Sequence, residues 1–474
     1  MTADATTPAN SATPASTTTP ALSAATLEAA ARIMADCDRL AAISALEDGI
    51  ERTYLTPEHA RHNAVAAELM TAAGMRTWQD AAGNQRGRLE GSRPGLPALV
   101  LASHLDTVPD AGRYDGILGV LLAIETVARL KDRASELPVA LEVVAFADEE
   151  GTRFGATLLG SRALAGTWEQ DWFALEDKDG ITMAEAFTRF GLDPAHIADA
   201  ALSPDEIAGY LEVHIEQGPY LEAADRPLGV VTSIAGARRF TLTILGEARH
   251  AGGTPYDRRR DALIGASRAV LDIEQIARER GAIATVGRLQ AYPGGVNVVP
   301  GRVEMSLDLR AETDELRDAV LEETLGSIRG FCTERGLSLE VEQIHEASAV
   351  PCAPHLMDAV RTGIRAVGDD AVGDDAPLEL FSRAGHDAMA MAALTDIGML
   401  FVRCADGISH HPDESVTTED VAAALDAFEA ATLAAAGSRA GGSPVDGSRA
   451  GGSPVDGSPA EASPATGDPA EESR

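Results

Sequence analysis

LPALVLASHLDTVPDAGRYDGILGVLLAIETVARLKDRASELPVALEVVAFADEEG, residues 96–151, is the stretch on which the fold turns. LPALVLA (96–102) and LPVALEVVAFA (137–147) are continuous apolar runs, and ILGVLLAIETVARLK (117–131) between them reads as a helix. Runs apolar on both faces, joined through a helix, predict parallel strands in a sheet covered on both sides. Each run ends in polar residues, SHLD after the first and ADEEG after the second. Burial asks for no carboxylates at a strand end, yet Glu149 and Glu150 stand there side by side. The carboxyl ends of such strands are where open α/β sheets hold their ligands.

Alternation begins further along. YLEVHIEQ (210–217) places Leu211, Val213 and Ile215 on one side of a strand and Glu212, His214 and Glu216 on the other. After GVV (229–231) come a strand RRFTLTILG (238–246) and a long helix DRRRDALIGASRAVLDIEQIARERG (257–281) closed by Gly281. Two strands follow, AIATVGRLQAY (282–292) and RVEMSLDLR (302–310). The helix TDELRDAVLEETLGSIRGFCTER (313–335) and the strand LSLEVEQIHE (337–346) complete a β-α-β-β-α-β unit, the split arrangement of a small open-faced sandwich. The chain therefore reads as an α/β protein. Residues 25–228 and 347–436 form a domain with a mixed, mostly parallel sheet flanked by helices, and residues 229–346 an inserted domain. The larger domain closes with the helix VTTEDVAAALDAFEAATLAAA (416–436). Residues 1–24 and the tail 437–474, where GSRAGGSPVD occurs at 437–446 and again at 447–456, lack core-forming residues and stay outside the fold.

At 474 residues with 45% hydrophobic content the chain is long enough for two full cores. A formal charge of −35 argues against nucleic acid or an anionic membrane as partner, since phosphate binding needs clustered Lys and Arg. An anionic small molecule must then be held by a few placed cations. Cys37, Cys332, Cys352 and Cys404 are scattered without a CxxC pair, the pattern of reduced thiols in a cytoplasmic protein. MTADATTPANSATPASTTTP has neither the basic region nor the apolar core of a secretory signal, and no stretch reads as apolar enough to span a bilayer. A cytoplasmic location is expected.

Several histidines and acids stand where chemistry could use them. His104 and Asp106 are two apart, so on an extended chain their side chains share a side, and the carboxylate can orient a metal-bound imidazole. Asp115 comes just before the helix, where Gly116 permits a sharp turn. Glu149 and Glu150 close one strand, His214 lies on the polar side of another, and His410, in GISHHPDE, follows the apolar run IGMLFV (397–402). Three histidines and two carboxylates at strand ends match what two borderline divalent ions need, with a carboxylate shared between them. Ordinary readings stand beside this one: Asp115 as a helix N-cap, His104 as a satisfied strand-end histidine, the glutamates as a solvated strand exit. No GxSxG elbow or P-loop competes, and Cys404 near His410 reads better as a buried small residue than as a nucleophile.

SHLDTV, YDGILGVL, AFADEEGTRFG, GSRALAG, EVHIEQGP, HAGGTP, VNVVPGRVE, AGHDA and GISHHP follow one another across roughly residues 40–436. Together they resemble the hydantoinase/carbamoylase amidohydrolases of the M20 metallopeptidase superfamily. That branch includes allantoate amidohydrolase, N-carbamoyl-L-amino acid hydrolase and β-ureidopropionase. HIEQGP with ADEEG is specific to it, while RTYLTPEH (52–59) and FVRCADGISHHP (401–412) look most like allantoate amidohydrolases.

The resemblance implies two divalent metal ions per subunit, Mn or Zn with Co or Ni compatible. His104, Asp115 and His214 would surround one ion, and Asp115, Glu150 and His410 the other. It makes Glu149 the general base and Asp106 the carboxylate that orients His104. Gln217, His250, Asn297, Arg310, Gly385 and His386 would surround the substrate, with His250 also steadying the oxyanion. It further implies a homodimer through the inserted domain, which also serves as a lid, with His250, Asn297 and Arg310 completing the partner subunit's site. The implied reaction is hydrolysis of a ureido C–N bond in a small ureido carboxylate. Allantoate, giving ureidoglycine, ammonia and carbon dioxide in purine catabolism, comes first. N-carbamoyl-amino acids, including N-carbamoyl-β-alanine, are the nearest alternative; an exopeptidase or a non-catalytic metal- or ligand-binding protein is more remote.

Without the motifs these residues read otherwise. Arg310 would pair with a surface acid, Asn297 would serve a turn, Gln217 and His250 would be loop positions, and His386 would cap the helix DAMAMAAL or stand inert. The runs RRR (258–260) and EDKD (176–179) are solvated faces. Three positions depart from the family pattern: Gly253 in place of Thr or Ser, Tyr256 in place of Met, and Arg383 in place of a small Gly before AGHDA. They bear on the substrate more than on the metals; Arg383 either favours a second anionic or ureido group or points outward.

Overall fold

The strands Ala98–His104 and Ala140–Phe146 pair in parallel and are buried at every position, as runs apolar on both faces require. The structure, a computed structural model, describes residues 22–368 and 376–438. The tails expected at 1–24 and 437–474 lie outside the described residues except at their inner ends, where Ser23 caps a helix from Ala24 and the last helix reaches Ser438.

In chain order the first strands are β1 Arg76–Gln79, β2 Gln85–Leu89, β3 Ala98–His104, β4 Ala140–Phe146, β5 Ile207–Ile215 and β6 Leu228–Ile234. Next come β7 Gly236–Leu245, β8 Arg249–His250, β9 Ile283–Thr285, β10 Leu289–Tyr292, β11 Val298–Val299, β12 Arg302–Ala311 and β13 Ser338–Ala347. The last are β14 Val350–Pro351, β15 Glu379–Ser382 and β16 Ile397–Val402. The large sheet has the order β1-β2-β4-β3-β5-β16-β6-β14, with β15 beside β6. Its centre, β4-β3-β5-β16, is parallel, whereas β1, β2, β6 and β14 enter against their neighbours. The sheet is thus mixed with a parallel centre; antiparallel neighbours need no crossover helix, as in the β1–β2 hairpin.

Alternate residues of the central strands face two cores. Leu99, Leu101, Leu141, Val143, Leu211 and Val213 pack under the helices Ala24–Ala41, Ile117–Leu130, Pro354–Ala366 and Thr418–Ser438. Val100, Ala102, Val144, Phe146, Tyr210 and Phe401 pack on the opposite face. The helix Thr418–Ser438, 21 residues, is long and apolar enough to cross a membrane by length and composition, contrary to the sequence expectation. It is alanine-rich and mostly buried in this core, which explains the apolarity. In β5 the alternation does not produce a solvated face, because Glu212, His214 and Glu216 are all buried.

The second sheet is antiparallel, ordered β10-β12-β7-β13 with β9 beside β12, and the helices Ala262–Arg280 and Asp314–Glu334 cover one face around Leu242, Ile244, Met305 and Leu307. The β-α-β-β-α-β order holds, with three differences in detail. β6, which contains GVV, pairs in the large sheet, so the small domain begins near Gly236 and not at 229. The helix starts at Ala262 because Asp261 accepts the N–H groups of Leu263 and Ile264 and caps it. The run 282–292 is two strands, since Ser306 Oγ accepts the N–H groups of Gly287 and Arg288 between them. In β12, Val303, Met305, Leu307 and Leu309 face the helices, which leaves Asp308 and Arg310 on the open side.

Candidate metal centre and its cavity

The adjacent strands β4, β3, β5 and β16 bring the chemistry-bearing residues to one edge of the sheet. His104 ends β3, Glu149 and Glu150 follow β4, His214 lies near the end of β5, and His410 is in the loop after β16. The rings of His104 and His214 stack at 5.7 Å. The helix after Asp115 has Gly116 at its N-cap position, so Asp115 is not the cap. Gly116 has φ 73°, and a Cβ there would fall 2.4 Å from His104 Nε2. Only glycine lets this turn bring Asp115 against the imidazoles.

Asp115 Oδ1 lies 3.1 Å from His214 Nε2 and 3.8 Å from His104 Nε2, and its Oδ2 lies 3.0 Å from His410 Nε2. His410 Nε2 is also 3.3 Å from Glu150 Oε1. Two of the other ring nitrogens are committed: His214 Nδ1 donates to the Ile215 carbonyl at 2.9 Å and His104 Nδ1 to the Asp106 carbonyl at 3.1 Å. With Nδ1 carrying the proton, a neutral ring turns its Nε2 lone pair toward a carboxylate oxygen. An oxygen so placed calls for a positive charge at Nε2, either a second proton on the ring or a metal ion. His104, Asp115 and His214 form one such group and Asp115, Glu150 and His410 another, each with ligand atoms within 4.8 Å of one another. Imidazole and carboxylate suit Zn, Mn, Co or Ni, so each group could hold a divalent ion, and Asp115 belongs to both groups. Glu212, His214 and His386 make a third grouping, but the Glu212 oxygens already accept from Ser103, Tyr210 and Ala388.

Asp106 ties the turn after β4 to the end of β3. Its carboxylate accepts the N–H of Glu149 at 3.0 Å and of Glu150 at 3.1 Å, and stands 3.6 Å from His104 Nδ1, beyond hydrogen-bond range. Two successive peptide N–H groups after β4 need an acceptor, and the two carboxylate oxygens supply it. They hold a turn in which Asp148 has φ 59°. Gln217 and His410 are also left-handed, each with φ 55°, and such strain persists where surrounding contacts enforce it.

Electrostatics distinguish the acids. Burial raises Glu149 well above the usual carboxylate range; His104 opposes this, and Glu150, Asp387 and Asp106 add to it. Burial and the Asp115 charge push Glu150 up to about 7. Burial would raise Asp115 as well, but hydrogen bonds with His214 and His410 hold it well below the usual range. The bond to Asp115 is the main cause that pushes His410 up to about 9. Burial pushes the Cys404 thiol up to about 11, which removes it as a nucleophile.

His104, Asp115, Glu149, Glu150, His214 and His410 line a cavity of about 310 Å³ together with Gln217, Arg239, Arg310, Arg383 and Gly385. Gln217 Nε2 donates to Asp115 Oδ2 at 3.0 Å and to Ser409 Oγ at 3.1 Å. Asp308 takes the Nε and Nη2 edge of Arg310 at 3.2 and 3.1 Å, and Arg310 Nη1 donates to the Arg383 carbonyl at 2.8 Å.

Residues 100–434 match the family described as Peptidase family M20/M25/M40. The chain belongs to the M20 peptidase family. A probable allantoate deiminase of Oryza sativa subsp. japonica is 40% identical to it over 418 residues, 81% of this chain and 85% of that relative. The N-carbamoyl-L-amino acid amidohydrolase of Geobacillus stearothermophilus is 41% identical over 375 residues, 79% of this chain and 90% of that relative. The crystal structure of a hydantoinase/carbamoylase family amidase from Burkholderia multivorans superposes with a TM-score of 0.78 at 33% identity, covering 86% of this chain and 98% of that one.

This M20 chain does not gather every residue singled out in its sequence. Arg310, expected to complete a partner subunit's site, lines its own chain's cavity because it ends β12 on the open side of the sheet. His386 is not in the cavity wall; it is buried with Nε2 2.7 Å from Ser382 Oγ and its ring edge-on to His214 at 4.5 Å. It holds the N-cap position of the helix Asp387–Met391 without a side-chain cap bond. His250 and Asn297 lie apart from the cavity on the exposed ribbon β8–β11, where Ala251 N–H donates to the Asn297 carbonyl at 2.8 Å.

Two residues at this M20 site escaped the sequence reading, Ser409 and Glu414. Glu414 is buried and accepts the main-chain N–H groups of Tyr114 and Asp115, while Ser409 lies between it and Asp115. The available signals were the position of Glu414 at the end of HHPDE and Gly112, whose Cβ would fall 2.2 Å from the Glu414 carboxyl carbon.

Proposed function

We propose that the chain is a metal-dependent amidohydrolase that cleaves the ureido C–N bond of a small ureido carboxylate, with allantoate the foremost substrate. The observation that carries this reading is one carboxylate, Asp115, facing three imidazoles, with the buried Glu149 beside it in the cavity that Arg310 lines. His104, Asp115 and His214 would hold one divalent ion, and Asp115, Glu150 and His410 the other. Divalent ions at this place polarise a carbonyl and make water more acidic.

Glu149 takes a proton from water as its oxygen adds to the ureido carbon, then gives that proton to the nitrogen that leaves. The burial that raises Glu149 above the ordinary carboxylate range makes it a stronger base than a free carboxylate. With Asp308 on its Nε and Nη2 and the Arg383 carbonyl on its Nη1, Arg310 keeps one further N–H on each of Nη1 and Nη2 for the substrate carboxylate. Gln217 and Gly385 border the reacting group, and His386 backs His214. Allantoate and water would leave as ureidoglycine, ammonia and carbon dioxide.

The same proposal includes a cytoplasmic homodimer joined through the inserted domain. Ile264 and Leu271 are exposed on its helix Ala262–Arg280, and the exposed ribbon with His250 and Asn297 belongs to the same domain. In the dimer His250 and Asn297 would complete the neighbouring site, with His250 donating to the developing oxyanion. The four free, buried cysteines fit a reducing compartment.

Ammonia release from allantoate, N-carbamoyl-L-amino acids and N-carbamoyl-β-alanine, with Mn, Zn, Co or Ni loaded in turn, tests the reading. Highest kcat/KM on allantoate supports it. Turnover of carbamoyl-amino acids alone moves the substrate to the second reading, which the 41% identity to the Geobacillus amidohydrolase favours. No ammonia from any of them refutes the activity.

A further inference from the structure

Four arginines border the cavity, Arg162 over the Trp172 ring and three others. Arg239 and Arg310 project from the open side of the small-domain sheet, and Arg383 follows β15. A second hollow of about 560 Å³, along the same sheet, is bordered by the same three side chains. Asp308 bonds two of them, at 3.3 Å to Arg239 Nε and 3.1 Å to Arg310 Nη2.

Arg383 has no ion pair among the described residues. Its guanidinium carbon lies 3.8 Å from the centre of the Tyr220 ring and 4.3 Å from that of Phe381. Its Nη1 reaches only the Phe381 carbonyl, at 3.4 Å, and its Nε is buried without a hydrogen-bond partner. Glu216 is close enough to feel its charge, but the Glu216 oxygens accept the main-chain N–H groups of Tyr220 and Leu221, each at 2.8 Å. The bond from Arg310 Nη1 to the Arg383 carbonyl ties the two residues together.

The aromatic rings hold the guanidinium but accept none of its in-plane N–H donors. A desolvated donor without a partner is destabilising, and a planar oxygen acceptor is the group whose geometry a guanidinium fork matches. Arg239 and Arg310 share the Asp308 carboxylate, whereas the Arg383 charge has no carboxylate paired with it among the described residues, so a ligand that brings negative charge is favoured there.

We propose that Arg383 is a specificity-determining residue that binds a second planar oxygen acceptor of the substrate, a ureido carbonyl or a carboxylate, while Arg310 takes the first carboxylate. The assignment rests on the proposed amidohydrolase reading and narrows it to ureido acids whose far end carries such an acceptor, over those ending in an alkyl chain. Allantoate offers a second ureido group, and N-carbamoyl-L-glutamate a second carboxylate.

Wild type, Arg383→Met and Arg383→Lys, all metal-loaded, are compared on allantoate, N-carbamoyl-L-glutamate and N-carbamoyl-L-norvaline. Wild type should prefer at least one acceptor-bearing substrate over the norvaline derivative by about 10-fold or more in kcat/KM. Arg383→Met should lower that preference about 10- to 100-fold, mostly through KM, and Arg383→Lys should restore part of it. The acceptor-bearing substrate that loses more identifies the source of the acceptor. Parallel loss on all three, or a wild type that favours the norvaline derivative, overturns the assignment. Calorimetric binding of glutarate against butyrate gives a readout without turnover, and equal selectivity in wild type and Arg383→Met also overturns it. Glutarate selectivity that disappears in Arg383→Met, with no ureido substrate hydrolysed, would uphold the subsite and refute the amidohydrolase reading.

Discussion

Glu414 accepts the main-chain N–H of Asp115 at 3.1 Å, so the carboxylate shared by both ligand groups is held from behind by a second, buried carboxylate. Glu414 also accepts from Tyr114 N–H at 2.7 Å, and Ser409 Oγ lies 3.0 Å from both Glu414 Oε2 and Asp115 Oδ2. Glu414 belongs to neither group of ligand atoms, yet it sets the direction in which Asp115 points.

Glu414→Gln would turn an amide N–H toward peptide N–H groups that now have an acceptor. Metal affinity should weaken about 10- to 100-fold, as losses of supporting residues behind metal ligands do. Calorimetric titration of Mn or Zn into the stripped protein measures it, and unchanged affinity would remove Glu414 from this role.

The two glutamates of ADEEG should separate on mutation. Glu149→Gln is expected to keep its metal content and lose about 100- to 10,000-fold in kcat, the range of a general acid–base group. Glu150→Gln should lose metal, and excess ion should recover part of its activity. Elemental analysis beside initial rates distinguishes them; equal metal loss in both variants would contradict the division of roles.

Gly116→Ala places a Cβ where the coordinates leave 2.4 Å to His104 Nε2, at φ 73°. A left-handed non-glycine residue costs about 1–3 kcal/mol before any steric displacement is added. Lower stability in urea unfolding, together with weaker metal binding, is the expected outcome. A variant as stable and as tightly metallated as wild type would show that the turn tolerates a side chain.

His59 should make the fold acid-sensitive. Its Nδ1 accepts Leu55 N–H at 3.0 Å and its Nε2 lies 3.0 Å from the Gly83 carbonyl, so the neutral tautomer is satisfied at both nitrogens. Burial pushes its pKa down to about 4 from an ordinary 6.5. Between those values the unfolded chain takes up a proton that the folded chain refuses. Stability from this group is therefore complete above pH 6.5 and declines as pH falls toward 4, by about 3 kcal/mol over the window. His59→Gln should flatten that decline in urea unfolding at pH 7 and pH 4.5. The same drop in both proteins would assign the acid sensitivity elsewhere.

The parallel centre was legible because strands covered on both faces must be apolar throughout, as β3 and β4 are. His104, Glu149 and Glu150 stood out for the same reason, as polar residues that end such runs. The place of β6 was not legible: GVV is apolar enough for either sheet, and a strand's composition does not name its neighbour. Nor was the position of His386, since AGHDA looks the same whether the imidazole faces a cavity or lies behind His214.

Local pattern was enough for the order of the main elements and for the acids and histidines at the ends of the central strands. Periodicity and composition are properties of neighbouring residues, and they survive in one dimension. Tertiary structure alone set the Asp115 oxygens within 3.8 Å of three imidazoles, and brought the Asp106 carboxylate to the N–H groups of Glu149 and Glu150. It also set Arg383 beside Arg310. Each of these depends on which unsatisfied donor or acceptor comes within about 3 Å on folding, between segments that the sequence holds far apart.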